Sequence, residues 1–297
     1  MGLPQFVDLS LLASLNNYSL AARYVCEGVI GGSHKSAYVG YNSEFSHHRE
    51  YMPGDEIRHV DWKRFAKTGK YYIKQYEESS SLNAMILLDD SDSMRIPSKE
   101  GLQKNIYARI LTSSLCWLLL KQRDGVGFVR FAESMTHFLP LTSKMTRFSE
   151  LCSLLDSEPS SGKTNLVKTL DQTLPLLKKK CMFILISDFL EDEESLKAAV
   201  ERIAFYGHEI IAFHLLTAEE LTFPWDEFSE FHDLESEEIL TMEAKSAKEE
   251  YQKNLRYFLA ETEGHLRQHQ ADYQLLRTSY PIEKALTHFL YRRSRHA

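Results

Sequence analysis

Cysteine is scarce in this sequence and positive charge is in deficit. The four cysteines, Cys26, Cys116, Cys152 and Cys181, lie far apart with no CxxC pair. That excludes a disulfide frame or a cysteine zinc cage and points to reduced core thiols in a cytosolic protein. Lys and Arg number 35 against 42 Asp and Glu, a net charge of -7. A general nucleic-acid binder would carry a basic footprint instead. Long apolar runs are also missing, since LCWLLL and MFILI fall far short of the roughly 18 residues that a membrane span requires. The opening MGLPQFVDLSLLASLNNYSL has no basic segment followed by a long apolar core, so no signal peptide is expected. The expectation is a cytoplasmic chain with no membrane span. No internal repeat or low-complexity tract is present.

The 297 residues, 43% hydrophobic and 26% charged, suffice for one large domain with an attachment. Residues 1–81 read as an N-terminal extension packed on that domain. It holds a helix in DLSLLASLNNYSLAARYV with Asp8 as N-cap. A loop-rich stretch follows, with a short helix after the Pro53-Gly54 turn capped by Asp55. YYIKQYEESS then reads as a strand leading into the main domain. From residue 82 to 297, apolar strands (AMILLDD, CMFILISDFL, HEIIAFHLL, ADYQLLRT) alternate with helices, and GVGFVRFA and MTHFLPL form a hairpin. Strands apolar on both faces predict an α/β fold, a doubly wound and mostly parallel sheet covered on both sides. Residues 219–250 carry twelve acidic and two basic side chains and read as an irregular acidic insertion.

MILLDDSDSM, residues 85–94, ends a buried strand in a dense cluster of oxygen-bearing side chains. Crowded carboxylates are costly unless something positive sits among them. Two strand ends carry such residues, DDSDSM and SDF, and in open α/β sheets ligands bind at strand carboxyl ends. A phosphoryl-transfer site is one reading, with Asp90 and Asp92 as DxD. Met94 stands where that pattern wants Thr or Val, however, and no later lysine or paired-aspartate motif is recognisable. SGKT at 161–164 is a poor phosphate loop, because Ser157 occupies the position of its first glycine. The metal reading absorbs more of the chain. Asp89, Ser91 and Ser93 alternate toward one point, Thr164 lies in a loop opening a helix, and Asp188 ends the FILIS strand. Two carboxylates and three hydroxyls are hard oxygen donors suited to Mg²⁺, with Mn²⁺ or Ca²⁺ as substitutes.

In that order, Asp89-x-Ser91-x-Ser93, Thr164 and Asp188 resemble the metal-ion-dependent adhesion site of von Willebrand factor A domains, a Rossmann-type fold. The resemblance implies that the two serines and the threonine ligate the ion directly or through water, while the aspartates act mainly through bound water. The stretch GGSHKSAYVGYNSEFSHHREYMPGDEIRHVDWKRFAKTGKYYIKQYEE, with LLDDSDSM, LISDFLED and DLES, is similar to the bacterial family catalogued as domain of unknown function 58. That resemblance implies a von Willebrand A-like, non-enzymatic protein acting beside a MoxR-type AAA+ ATPase in assembly or activation of a client protein. Some members carry membrane helices ahead of this region.

Asp55, Arg58, Asp61 and Lys63 alternate in sign at near-helical spacing, which predicts internal ion pairs. Trp62 is expected to pack this segment against the main domain; Asp55, Arg58 and Trp62 are the alternative partner-binding surface. His265 and His269 share a helix face but lack an evident third ligand, so a solvated face is expected.

Overall fold

The computed structural model describes residues 9, 12, 17–31, 47–52, 60–75, 82–224, 228–232 and 239–296. Its centre is a six-stranded sheet of β3 (Asn83–Asp89), β4 (Gly125–Phe131), β5 (Met135–Thr142), β6 (Met182–Ser187), β7 (Glu209–Leu216) and β10 (Asp272–Arg277), ordered β10-β7-β6-β3-β4-β5. Every neighbouring pair is parallel except β4 and β5, which form an antiparallel hairpin. The fold is therefore the doubly wound, mostly parallel α/β arrangement that the apolar strands predicted.

Alternation along β3 sends Ile86 and Leu88 to one side of the sheet, and Met85 and Leu87 to the other. On the first side lie α1 (Tyr18–Gly31), α3 (Lys104–Lys121), α4 (Thr146–Leu155) and α9 (Ile282–His296). The second side is covered by α5 (Leu166–Thr173), α6 (Glu193–Phe205) and α8 (Ala244–Gln268). α1 belongs to the main core: Ala21, Ala22, Val25 and Cys26 are fully buried there, and the Cys26 thiol donates to the carbonyl of Ser114 in α3. All four cysteines are buried and free. Burial pushes each thiol up, Cys152 to about 12 and Cys181 to about 11. None of the described helices is long and apolar enough to cross a membrane.

Ahead of the main sheet, YYIKQ holds a strand as expected, and both predicted helix caps lie outside the described residues. Leu9 and Leu12 are helical, and α1 starts at Tyr18, where the Asn17 side chain accepts from the Leu20 amide; Asp8, the predicted cap, lies outside the described residues. YYIKQ does not enter the main sheet. Its β2 (Tyr72–Gln75) pairs antiparallel with β1 (His47–Glu50) in a separate ribbon. A short helix, α2 (Trp62–Thr68), is capped by Asp61, whose carboxylate accepts from the Lys63 and Arg64 amides; the helix expected after Pro53-Gly54, with Asp55 as its cap, lies outside the described residues. Finally, the acidic stretch is not simply irregular. It contains α7 (Ala218–Thr222), the start of α8, and an antiparallel ribbon of β8 (Phe228–His232) and β9 (Ile239–Glu243).

Candidate metal centre

The chain leaves β3 toward β4 on one side and reaches β6 on the other, so the carboxyl ends of β3 and β6 flank the point where strand order reverses. Asp89 is the last residue of β3, and Ser187 is the last of β6, with Asp188 directly after it. After β3 the chain bends at Ser91 into a short 3₁₀ turn, Asp92–Arg95. The Ser91 amide donates back to Asp89 Oδ1 at 3.0 Å. This bend turns Ser91 and Ser93 inward, with their hydroxyl oxygens 3.0 Å apart.

Thr164, seventy-odd positions later, closes the cluster. Its Oγ1 lies 3.0 Å from Ser91 Oγ and 3.0 Å from Asp89 Oδ2, and its single proton serves one of them. The loop is brought in by two backbone bonds: Ser160 N donates to Asp90 at 2.6 Å and Gly162 N to Asp92 at 2.8 Å. Gly162 has φ of 107°, a left-handed conformation that glycine adopts without strain. The glycine of SGKT thus shapes a loop that wraps two aspartates. Asp89 Oδ2 also accepts from Ser187 Oγ at 2.5 Å. Asp89, Ser91, Ser93, Thr164 and Asp188 are all buried.

Asp188 sits beside this group without joining its hydroxyl chain. Its Oδ2 pairs with Lys104 Nζ at 2.7 Å, and its Oδ1 accepts from the Leu190 amide at 3.3 Å. Burial, with the like charge of Asp188 close by, raises the Asp89 carboxyl above its ordinary range, while bonds from Ser187 and Ser91 pull the other way. Glu191 is raised further, to about 8, chiefly by burial. Its Oε2 accepts from the Leu166 amide at 3.3 Å, whereas Oε1 has no partner among the described residues.

The donor set fits a hard dication. Adjacent oxygens around an octahedral Mg²⁺, at about 2.1 Å from the ion, lie about 3.0 Å apart. Ser91 Oγ already has that spacing from both Ser93 Oγ and Thr164 Oγ1, which is also that of hydrogen bonds, so ligation would replace these contacts by bonds to the ion.

Asp90 points the other way. Arg109 Nη2 lies 3.1 Å from its Oδ1, and Arg130 Nε and Nη2 lie 2.7 and 2.6 Å from its Oδ2. Arg130 is anchored in turn to the carbonyls of Leu154 and Glu158 and to Ser157 Oγ. Asp92 pairs with Arg95 at 3.0 Å. Both members of the DxD pattern are thus engaged within the protein.

Sequence reasoning missed Lys104, Ser187 as a partner of Asp89, and Glu191. Ser187 and Glu191 flank Asp188 in LISDFLED, so their place in the chain was a usable signal. Lys104 carried none, because a lysine opening a helix reads as solvated. Trp62 does not pack on the main sheet: it is 55% exposed and meets Phe65 and Tyr71 edge-on. Asp55 and Arg58 lie outside the described residues. His265 is not simply solvated, as its Nε2 lies 3.3 Å from Glu193 and 3.8 Å from Glu261.

Comparison with known proteins gives relatives without an assigned activity. An uncharacterized protein of Mycobacterium tuberculosis, Rv1480, is 23% identical over 220 residues, covering 73% of this chain and 68% of its own. Uncharacterized protein YeaD of Bacillus subtilis is 25% identical over 122 residues, covering 41% of this chain and 28% of its own. Among solved structures, the hypothetical protein BatB of Bacteroides thetaiotaomicron aligns with a TM-score of 0.46 and 16% identity, over 72% of this chain and 99% of that one. The family described as "Protein of unknown function DUF58" matches residues 47–258, and the chain belongs to that family.

Proposed function

We propose that this chain is a non-enzymatic, dication-dependent protein-interaction module with a von Willebrand factor A-type adhesion site. In this reading it acts in the cytoplasm with a MoxR-type AAA+ ATPase in the assembly or activation of client proteins. One observation carries the reading: the hydroxyls of Ser91, Ser93 and Thr164 and the carboxylate of Asp89 form a continuous buried chain at 3.0 Å spacing, at the switch point of the sheet. Ser91, Ser93 and Thr164 would hold Mg²⁺, or Mn²⁺ or Ca²⁺ in its place, with Asp89 and Asp188 acting from behind them. Such an ion would supply a positive centre for a carboxylate of the partner.

The alternative, a magnesium-dependent phosphohydrolase or phospho-acceptor using Asp90 and Asp92, needs a carboxylate oxygen free to attack phosphorus. Asp90 has two guanidinium groups and a backbone amide on its oxygens, which favours the interaction reading. The test is retention of the ATPase in Mg²⁺ and in chelator, with Ser91→Ala and Ser93→Ala as controls. Loss in chelator and in both variants is expected. Equal retention in all four conditions would remove the ion from the binding mechanism, and turnover of a phosphomonoester that vanishes in Asp92→Asn but survives in Ser93→Ala would favour the alternative.

A further inference from the structure

Lys104 is the first residue of α3 and is fully buried. Two physical effects act against a cation at that place: loss of hydration and the positive end of the helix dipole. Two carboxylates from distant parts of the chain hold it nonetheless, Asp188 Oδ2 at 2.7 Å and Glu220 Oε1 at 2.6 Å. Glu220 is itself fixed, because its Oε2 accepts from the Thr217 amide at 2.6 Å in the capping box that opens α7. With Oδ1 of Asp188 on the Leu190 amide, both oxygens of Asp188 are engaged before any ligand arrives.

Resting on the adhesion-site reading above, we propose that Lys104 is a resident cation that keeps Asp188 out of a dication's inner shell, weakening the bare site's hold on the ion and leaving its charge to be balanced by an anionic group from outside. The inner donors are then the neutral hydroxyls of Ser91, Ser93 and Thr164. Glu220 tempers the effect by sharing the ammonium. Without Glu220, Lys104 bears wholly on Asp188, and the region also loses a negative charge. Lys104 is therefore a positioning residue, and it ties the site to α7 and the acidic stretch beyond it.

The two partners of the pair have opposite effects on ion binding, which separates this role from a merely structural one. Mn²⁺ affinity of the full chain is measured by titration calorimetry at fixed ionic strength, with circular dichroism as the check on folding. Lys104→Gln is expected to bind Mn²⁺ at least tenfold more tightly than wild type, and to gain more thermal stability from added Mn²⁺. Glu220→Gln is expected to bind it several-fold more weakly. Unchanged or weaker binding by a folded Lys104→Gln overturns the proposal. Should that variant not fold, Glu220→Gln decides alone, and unchanged or tighter binding there overturns it. Wild-type binding that Ser93→Ala abolishes leaves the adhesion-site reading standing whatever Lys104→Gln does. Absence of Mn²⁺ binding from wild type and both variants overturns the two together.

Discussion

Asp90→Asn tests how the aspartate cluster divides its labour. Asp90, Arg130 and Arg109 have side chains 2%, 1% and 9% exposed, and the carboxylate faces both guanidinium groups at 2.6 to 3.1 Å. At about 4 Å between charge centres and an effective dielectric near 20, each pair is worth about 4 kcal/mol before desolvation is counted. Removing one partner of a buried ion pair typically costs about 3–5 kcal/mol, because the remaining charge stays buried. Asparagine keeps the shape, and the arginines keep their bonds to Leu154, Leu155 and Ser157, so the lower half of that range is expected. At about 2.1 cal/mol/K of unfolding entropy per residue, that is a fall in Tm of roughly 5–7 °C for a chain of 297 residues. Thermal unfolding by circular dichroism measures it, and replacing all three residues together with apolar ones should recover most of the loss. A variant within about 2 °C of wild type that had lost a phosphatase activity would refute the reasoning, since Asp90 would then be a reactive group and not a structural one.

Thr164→Val removes the hydroxyl while keeping the shape. Asp89 retains Ser187 and the Ser91 amide, so a loss of about 1–2 kcal/mol in urea unfolding is expected, together with loss of Mg²⁺-dependent partner retention; retention at wild-type strength would take Thr164 out of the site. Glu191, raised to about 8, holds its proton in the fold where the unfolded chain releases it near 4.5. Its contribution to stability is thus full below about 4.5 and declines as pH rises toward 8, by at most about 1.4 kcal/mol per pH unit. Glu191→Gln should flatten the dependence of unfolding free energy on pH between 5 and 8, and parallel curves for the two proteins would contradict that assignment. Gly162→Ala meets no crowding, its nearest neighbour being Glu133 Cβ at 3.8 Å. The positive φ alone should cost about 1–2 kcal/mol in chemical denaturation, and a neutral result would show that the loop can re-form with a negative φ.

Much of the fold was legible because strands covered on both faces must be apolar at every position, as MILL and FILI are. The site was legible as well: alternate residues past a strand end share a side, so Asp89, Ser91 and Ser93 could be grouped before any coordinates. The same alternation turns Asp90 away. Its arginine partners were not readable, since Arg109 and Arg130 lie in a helix and a strand whose faces toward Asp90 are set by tertiary packing. Lys104 was hidden for the same reason. The partner of YYIKQ was invisible because four alternating residues specify a strand and not its neighbour. In the acidic stretch, the density of charge outweighed the alternation in FSEFH and ILTME that now marks a ribbon.

The distribution of thiols supplies a built-in clock for opening motions. Cys26, Cys116 and Cys152 line one side of the sheet and Cys181 the other, and a thiol held protonated out of solvent reacts with an alkylating reagent only after its layer parts. The order in which peptides become alkylated will therefore report whether the two layers of helices come away together or one before the other.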